Sequence, residues 1–351
     1  MKTYITLFAA ILFAIAGIFA GFPAGTVDAQ ETARPRMTPP AATPTPLVDD
    51  DEPIRVDTEL VNLSVRVIDR NNRPITNLPQ SEFTIFEDNV PQRIEFFSQS
   101  EIPTNYSLVI DNSGSLRQQI NEVIDASKTI VNTNRPGDET SVIRFVSSDK
   151  IEIVQDFTND KEYVGEALDN LYIECGRTAI IDAVYLAAQR VAVYEKSNDR
   201  LRRALILVTD GEDVSSFYTQ KQLIDLLTET DVQIFVVGFV KDLDSKGGFI
   251  SKSAQSKARS FLEALASQTG GKAYFPDNVS QMQEIARDIS GEMRTQYSIG
   301  YIPTNDKNDG TFRNIRVNVS DGPGKQKRIA VTRSGRTAVA PNGAPTLQRS
   351  N

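Results

Sequence analysis

The chain has 351 residues, of which 40% are apolar and 24% charged, and these values exclude a collagen, a coiled coil and a mostly disordered protein. It contains no histidine and a single cysteine, Cys175, which excludes His-based catalysis, His-ligated metals and a disulfide framework within the chain. A net charge of −8, from 38 basic and 46 acidic residues, argues against nucleic acid or anionic lipid as a partner. A metal bound by this chain would therefore be held mainly by oxygen atoms.

Residues 1–29 have the pattern of a secretory signal peptide. Lys2 precedes an apolar stretch over residues 6–20, and small residues lead to an exit site at Val27-Asp28-Ala29. The pattern predicts cleavage after Ala29. An uncleaved membrane anchor is the alternative, because the apolar stretch approaches the ~20 residues that span a bilayer. No other stretch is long and apolar enough to span, so we expect the protein to be secreted, periplasmic or held in the cell envelope.

Residues 30–56 are predicted to form a disordered linker. Six prolines lie at positions 35, 39, 40, 44, 46 and 53, and the segment has few apolar side chains to bury. Residues 335–351 are rich in small and polar side chains, and we predict a disordered tail there.

Residues 57–103 and 293–334 show an apolar period of two, which is typical of strands. Val61, Leu63, Val65 and Val67 define the first strand, and further strands are predicted near residues 83–86 and 94–97. Near the other end, residues 296–302 and 312–319 predict a hairpin, followed by a strand over residues 326–332. Three strands leave open edges and an apolar face. We therefore predict a small β-sandwich formed by both terminal regions, with a second domain inserted between them.

Residues 104–292 show a different pattern, in which short apolar strands alternate with segments of helical spacing. Such alternation predicts an α/β domain with a doubly wound, mostly parallel and Rossmann-like sheet flanked by helices. The predicted buried strands are residues 106–110, 204–209, 233–240 and 272–275, with a hairpin at 141–146 and 151–157. In such sheets ligands bind at the carboxyl ends of the strands, so polar residues just after the strands are candidates for the site.

Polar side chains follow two of these strands and precede one helix. Asp111-Asn112-Ser113-Gly114-Ser115 follows the first strand, Asp210-Gly211 follows the strand at 204–209, and Thr178 opens a helix near residue 179. Two carboxylates and three hydroxyls without nitrogen or sulfur are hard ligands that suit Mg²⁺ or a similar ion. An ion bound by carboxylates through water keeps an open position, which an acidic group of another molecule can fill.

These segments resemble the metal-ion-dependent adhesion site (MIDAS) of von Willebrand factor type A domains. The resemblance covers residues of about 104–292, and the whole layout is similar to exported bacterial proteins that carry this domain. It implies a bound Mg²⁺, with Mn²⁺ or Ca²⁺ as alternatives, and a protein partner that presents an Asp or Glu. It also implies the metal site Asp111, Ser113, Ser115, Thr178 and Asp210, in which the three hydroxyls contact the ion and the two carboxylates act mainly through water.

Arg177 departs from the family pattern, which often has Gly before this Thr. A guanidinium beside the ion would either raise the selectivity for anionic partners or lower the affinity for the metal. Other interpretations of nearby residues are structural. Ser113 and Ser115 would then serve as helix N-caps, and Asp182 would anchor its own loop rather than support the ion. Cys175 lacks an activating partner, and we interpret it as structural.

Two enzymatic interpretations are alternatives to a binding protein. A Mg²⁺-dependent phosphoryl-transfer hydrolase on a similar α/β fold is the main alternative, but haloacid-dehalogenase-like enzymes need an acid where this chain has Ser113. A Ser-Lys hydrolase needs Ser-x-x-Lys on one helical face. Ser147-Ser148-Asp149-Lys150 has that spacing but lies in a predicted turn. The sequence therefore predicts an exported, non-enzymatic binding protein with a MIDAS-type site.

Overall fold

A computed structural model describes residues 60–99, 102–194, 201–241 and 254–338. The predicted signal peptide at 1–29, the predicted linker at 30–56 and residues 339–351 of the predicted tail lie outside the described residues. Within the described ranges, no helix combines the length and apolar character needed to cross a membrane.

The elements of the described chain are numbered in sequence order. The strands are β1 (Val61–Ile68), β2 (Phe83–Glu87), β3 (Val90–Gln92), β4 (Ile94–Ser98), β5 (Thr104–Asp111), β6 (Glu139–Ser147), β7 (Lys150–Thr158), β8 (Arg202–Thr209), β9 (Gln233–Gly238), β10 (Ala273–Tyr274), β11 (Tyr297–Tyr301), β12 (Phe312–Val319), β13 (Ile329–Val331) and β14 (Gly335–Thr337). The helices are α1 (Ile120–Asn132), α2 (Lys161–Asp169), α3 (Ile180–Val193), α4 (Gln220–Glu229), α5 (Ala254–Gln268) and α6 (Met282–Arg294).

The central sheet has the strand order β10-β9-β8-β5-β6-β7. Its neighbours pair in parallel except β6 and β7, which form the predicted antiparallel hairpin. Helices α1, α2 and α6 cover one face, and α3, α4 and α5 cover the other. The predicted doubly wound α/β fold is confirmed.

β5 is buried along its whole length because helices cover both faces of the central sheet. All eight residues of this strand are buried. Leu108 and Ile110 pack toward α1 and α6, whereas Val109 packs toward α3 and α4. Central strands of parallel sheets therefore have continuous apolar runs, which makes them recognisable in the sequence.

The terminal regions form two facing antiparallel sheets, with the orders β13-β1-β11-β4 and β14-β12-β2-β3. Alternate residues of β1 point into the space between the sheets and pack against Ile85, Tyr297 and Ile299. The predicted β-sandwich, built from strands on both sides of the α/β domain, is confirmed.

The predicted hairpin between residues 296–302 and 312–319 is wrong. β11 lies between β1 and β4, whereas β12 lies between β14 and β2 in the opposite sheet. The first three predicted strands are divided in the same way, since β1 and β4 share one sheet and β2 belongs to the other. Polar turn residues indicate that the chain reverses, but they do not determine whether it pairs with the preceding strand or crosses to the facing sheet.

Ordered structure continues beyond the predicted sandwich limit at residue 334. β14 pairs with β12, where Phe312 lies opposite Thr337 and Asn314 lies opposite Gly335. The predicted tail at 335–351 therefore begins too early. Only three residues pair, so the segment is too short to give a clear periodic signal.

Buried polar contacts fix the sandwich to the end of the central sheet where its parallel strands begin. Arg202, the first residue of β8, donates to the carbonyls of Met293 (2.8 Å) and Gln296 (2.7 Å). Arg66 of β1 pairs with Glu292 of α6 at 2.7 Å, and both side chains are 5% exposed. The candidate metal residues lie at the opposite end of the strands.

Candidate metal centre

Two adjacent parallel strands bring the predicted acidic residues together. β5 and β8 pair with Ile110 opposite Val208, so both strands end at the same edge of the sheet. Asp111 is the last residue of β5, and Asp210 directly follows β8. The positions of the two carboxylates thus follow from the register of the parallel pair.

Asp111 is fully buried and held at both carboxylate oxygens. Oδ1 accepts a hydrogen bond from the backbone N–H of Ser113 (2.9 Å), and Oδ2 accepts one from the Thr209 hydroxyl (2.8 Å). Burial, and then the nearby negative charge of Asp210, raise the pKa of Asp111 to about 6. The two carboxylates are therefore close enough to repel each other.

Ser113 and Ser115 present their hydroxyls as a pair, with the two Oγ atoms 2.8 Å apart. Ser113 precedes a short helical turn at Gly114–Leu116, but its side chain makes no capping hydrogen bond there. The N-capping alternative is therefore wrong for Ser113. Its hydroxyl stays beside Ser115, on the same loop as Asp111.

The loop after β8 depends on a glycine. Asp210 is buried, and its Oδ1 accepts a hydrogen bond from the Glu212 N–H at 3.0 Å. Gly211 has φ +88°, and a Cβ at this position would lie 2.9 Å from the Cβ of Ala258 in α5. Both the backbone angle and the close helix disfavour a larger residue after Asp210.

Thr178 is buried and is joined to the loop that contains Asp210. Its carbonyl accepts hydrogen bonds from the N–H groups of Val214 (2.8 Å) and Ser215 (3.2 Å). Within the described ranges, its hydroxyl makes no hydrogen bond. The structure thus brings Asp111, Ser113, Ser115 and Asp210 together, and it connects Thr178 to them through the backbone.

The charge of this site is not balanced by basic side chains. Among the described residues, no lysine or arginine forms an ion pair with Asp111 or Asp210. Nor do three His, Cys, Asp or Glu side chains cluster as metal ligands anywhere in the described ranges. The donor set consists of two carboxylates and neighbouring hydroxyls, which suits a hard divalent cation. Two buried carboxylates that form no ion pair with a described basic residue fit such a cation.

Asp182 anchors the loop between β8 and α4, and not its own loop as the structural interpretation expected. It lies in the first turn of α3, and its two carboxylate oxygens accept hydrogen bonds from the N–H groups of Phe217 and Tyr218, each at 2.8 Å. The Ser148 hydroxyl also donates to Asp182. The carboxylate thereby connects α3 to the loop between β8 and α4 and to the turn between β6 and β7.

The Ser-Lys alternative is not supported by the geometry of its turn. Ser147 donates to Asp149 at 2.6 Å, and Lys150 pairs with Glu174. Ser148 is bonded to Asp182. Neither serine donates to the lysine, as a Ser-Lys nucleophile would require.

Two polar residues at this edge, Thr209 and Asn112, have contacts that their sequence positions did not predict. Thr209 donates to Asp111 and also accepts a hydrogen bond from the Gly211 N–H at 3.1 Å. Asn112 donates from Nδ2 to the carbonyl of Tyr172 (2.9 Å), and its own carbonyl accepts from the Glu174 N–H (2.9 Å). The signal for Thr209 was its position beside Asp210 at the end of an otherwise apolar strand. Asn112 had no recognisable signal beyond its place between two predicted ligands.

The central part of the sequence matches a known domain family. The sequence profile of the von Willebrand factor type A domain matches residues 107–288, slightly more than half of the chain. An uncharacterized protein of Borreliella burgdorferi is 24% identical over 167 residues, which cover 45% of this chain and 48% of that protein. The chain thus spans about half the length of this curated relative.

Solved structures that are similar over part of the chain include three from different organisms. An aerotolerance-related membrane protein of Bacteroides fragilis has 18% identity and a TM-score of 0.42, covering 54% of this chain and 98% of that one. A von Willebrand factor type A protein of Catenulispora acidiphila has 12% identity and a TM-score of 0.43, covering 80% and 75%. Proximal thread matrix protein 1 of the mussel byssus, with a zinc-occupied MIDAS motif, has 20% identity and a TM-score of 0.44, covering 59% and 49%.

The matched region contains β8, α3 and the last five residues of β5, and with them all five predicted metal residues. Since the profile spans more than half of the sequence, the chain belongs to the von Willebrand factor type A domain family.

Proposed function

We propose that this chain is an exported binding protein that holds a divalent cation at the C-terminal edge of its central sheet. The observation that carries the proposal is the pair of buried carboxylates, Asp111 and Asp210, which have no basic partner among the described residues. Buried charges in proteins are otherwise paired or coordinate metals. Mg²⁺ is the ion that this oxygen set favours, with Mn²⁺ and Ca²⁺ as alternatives.

The proposed ion would be contacted directly by the hydroxyls of Ser113, Ser115 and Thr178. Asp111 and Asp210 would act mainly through water. When bound, the ion supplies a Lewis-acidic position for a carboxylate of another protein. The chain's own residues orient this position, since Asp111 is fixed by two hydrogen bonds and Ser113 is held beside Ser115. The partner would thus present an Asp or Glu to this edge.

We propose binding rather than catalysis. The first loop has a serine where phosphoryl-transfer enzymes of similar fold need a second acid, and the chain contains no histidine to serve as a base. We also propose that the signal peptide is removed after Ala29, which releases the protein to the periplasm, cell envelope or exterior. In this proposal the domain at about 104–292 binds the partner, and the terminal sandwich supports it.

The test is calorimetric titration of the purified protein with Mg²⁺ and with Mn²⁺. We expect saturable binding that Asp111→Ala, Ser113→Ala and Asp210→Asn each abolish. Asp210→Asn keeps the acceptor for the Glu212 N–H, so it removes charge with little change of shape. The matched control is Glu212→Gln, which removes an exposed negative charge two residues away and should keep wild-type binding. Equal metal binding by wild type and Asp210→Asn would overturn the proposal.

A further inference from the structure

Three large side chains with apolar surface are exposed on the loops around the candidate metal edge. Phe217 is 79% exposed, Tyr172 54% and Val214 44%. We refer to these three residues as the apolar rim. Phe217 is the most exposed of the large hydrophobic side chains in the described ranges. Single exposed apolar side chains are ordinary, but several around one polar site indicate a contact surface.

The backbone that carries Phe217 is fixed on both sides. The N–H groups of Phe217 and Tyr218 are both bonded to Asp182, at 2.8 Å each. The Tyr218 ring stacks on Tyr185 with centroids 3.9 Å apart. Phe217 is therefore exposed although its loop is well held, so little backbone entropy is lost when a partner covers the ring.

Val214 lies on the same loop and is directly joined to a predicted ligand. Its N–H donates to the carbonyl of Thr178 at 2.8 Å. The neighbouring Ser215 hydroxyl donates to the Arg177 carbonyl at 2.6 Å. These bonds place the loop with Val214 and Phe217 beside the first turn of α3, where Thr178 precedes the helix.

Tyr172 belongs to a different loop, which is attached to the Asp111 segment. Its carbonyl accepts a hydrogen bond from Nδ2 of Asn112, the residue between Asp111 and Ser113. Arg144 lies over the Tyr172 ring, 4.2 Å from the centroid, and donates to its hydroxyl at 2.6 Å. The apolar rim therefore includes one side chain fixed to the first ligand loop and two fixed to the Thr178 loop.

The charges on the rim limit which acidic partners fit. Glu212 and Asp213, which follow Gly211, are exposed, and so is Arg177, which precedes Thr178. The two negative charges outnumber the one positive charge. A single carboxylate on the metal gains the attraction of the cation. Additional carboxylates beside it would meet these two like charges, and like-charge contacts at an interface are costly.

We infer that the apolar rim selects a protein segment in which one Asp or Glu lies next to a bulky apolar side chain, and that it disfavours runs of acidic residues. This inference rests on the proposed metal function. The carboxylate would fill the open position of the ion, while the apolar side chain would pack on Phe217 and Val214. Aromatic residues at the centre of interfaces commonly supply a large share of the binding energy.

The test uses three immobilised peptides and the purified protein in Mg²⁺. The sequences are Gly-Phe-Glu-Phe-Gly, Gly-Ser-Glu-Ser-Gly and Gly-Glu-Glu-Glu-Gly, presented densely so that weak contacts are measurable by sensor response. We expect the Phe-flanked peptide to bind best. Phe217→Ala should weaken that binding about fivefold or more, the usual effect of removing an interface anchor. Tyr163→Ala, which removes an exposed aromatic side chain from α2, is the matched control and should bind as wild type.

The outcomes separate this inference from the proposed function. Equal, Mg²⁺-dependent binding of all single-Glu peptides, unchanged by Phe217→Ala, would overturn the inference and keep the metal site. The strongest binding to the triple-Glu peptide, or no peptide binding by a protein that does bind Mg²⁺ in calorimetry, would also overturn it. A protein that binds neither Mg²⁺ nor peptide would contradict both proposals.

Two further measurements would show whether the apolar rim binds a second copy of the chain or a membrane instead of a protein segment. Sedimentation would detect self-association, and co-flotation with phosphatidylcholine–phosphatidylglycerol vesicles would detect membrane binding. If Phe217→Ala removed either behaviour from the wild type while peptide binding stayed the same, the rim would be an interface for a second copy or a membrane. Either result would overturn the inference.

Discussion

The two ends of the central sheet bury charges in opposite ways. Where the strands begin, Arg66 pairs with Glu292, and Arg202 donates to two backbone carbonyls. Where the strands end, Asp111 and Asp210 are both buried, and neither forms an ion pair with a lysine or arginine of the described ranges. Buried charges that serve the fold need a partner in the chain. The contrast supports the proposal that a bound cation, and not a residue of the chain, supplies the balancing charge at the second end.

Breaking the Arg66–Glu292 ion pair, at the end where the strands begin, should cause the largest loss of stability. Glu292 contacts both Arg66 and Lys272, at 2.7 and 3.3 Å. Glu292→Gln leaves these cations without their charge partner, and we expect a loss of about 3 kcal/mol in the free energy of unfolding, measured in urea. The control is Asp225→Asn, which breaks the exposed pair with Lys221 and should change stability little. A loss no larger than that of the control would show that the buried pair does not stabilise the contact between the sandwich and α6.

Adding metal should stabilise the other end. At a Mg²⁺ concentration of about one hundred times Kd, the free energy of unfolding should rise by about 2.7 kcal/mol. Asp210→Asn should lose this gain, and its metal-free form should be at least as stable as wild type because it removes the repulsion on Asp111. Glu292→Gln should retain the gain, since it affects the opposite end. If Asp210→Asn instead destabilised the metal-free protein strongly, the carboxylate would have a structural role.

The glycine after Asp210 provides a smaller and more local test. Gly211→Ala places a Cβ at φ +88° and 2.9 Å from Ala258, so we expect a loss of about 2 kcal/mol in stability and weaker Mg²⁺ binding. Gly310→Ala is the matched control, because Gly310 also has positive φ (+72°) but no atom within 4 Å of the added Cβ. Only the conformational cost applies there, about 1 kcal/mol. Equal losses for the two variants would show that contact with α5 is unimportant.

The two regions also differ in how well the sequence predicts them. The central sheet was predictable because strands buried on both faces, such as β5, have continuous apolar runs. The sandwich strands were recognised, but their partners were not. β11 is buried at four of its five residues, whereas in β12 exposed and buried residues alternate. The difference in burial between the two strands depends on which sheet each strand joins. Sequence periodicity describes one strand at a time and contains little information about its neighbours.

The site shows the same division between local and distant information. Asp111 and Asp210 could be proposed because each directly follows a recognisable strand, and the parallel register brings them together. The loop that Asp182 anchors could not be predicted, because its partners Phe217 and Tyr218 lie 35 and 36 positions later in the chain. The same holds for the exposure of Phe217, since aromatic residues are buried in most contexts. Which of them a fold leaves on the surface depends on loop packing.

A substitution of Thr209 tests the candidate metal site, at the end where the strands stop, with the smallest expected effect. Its hydroxyl donates to Asp111 and accepts from the Gly211 N–H, so it connects the two ligand loops. Thr209→Val keeps the shape and removes both bonds, and we expect a loss of about 1 kcal/mol in the metal-free protein by urea unfolding. Mg²⁺ affinity should also fall in calorimetry, because one oxygen of Asp111 would no longer be oriented. Thr129→Val on α1, which removes a hydroxyl that bonds Gln283, should leave Mg²⁺ affinity unchanged. If Thr209→Val also left that affinity unchanged, Asp111 would be positioned by Ser113 alone, and the link between β5 and β8 would serve the fold rather than the metal.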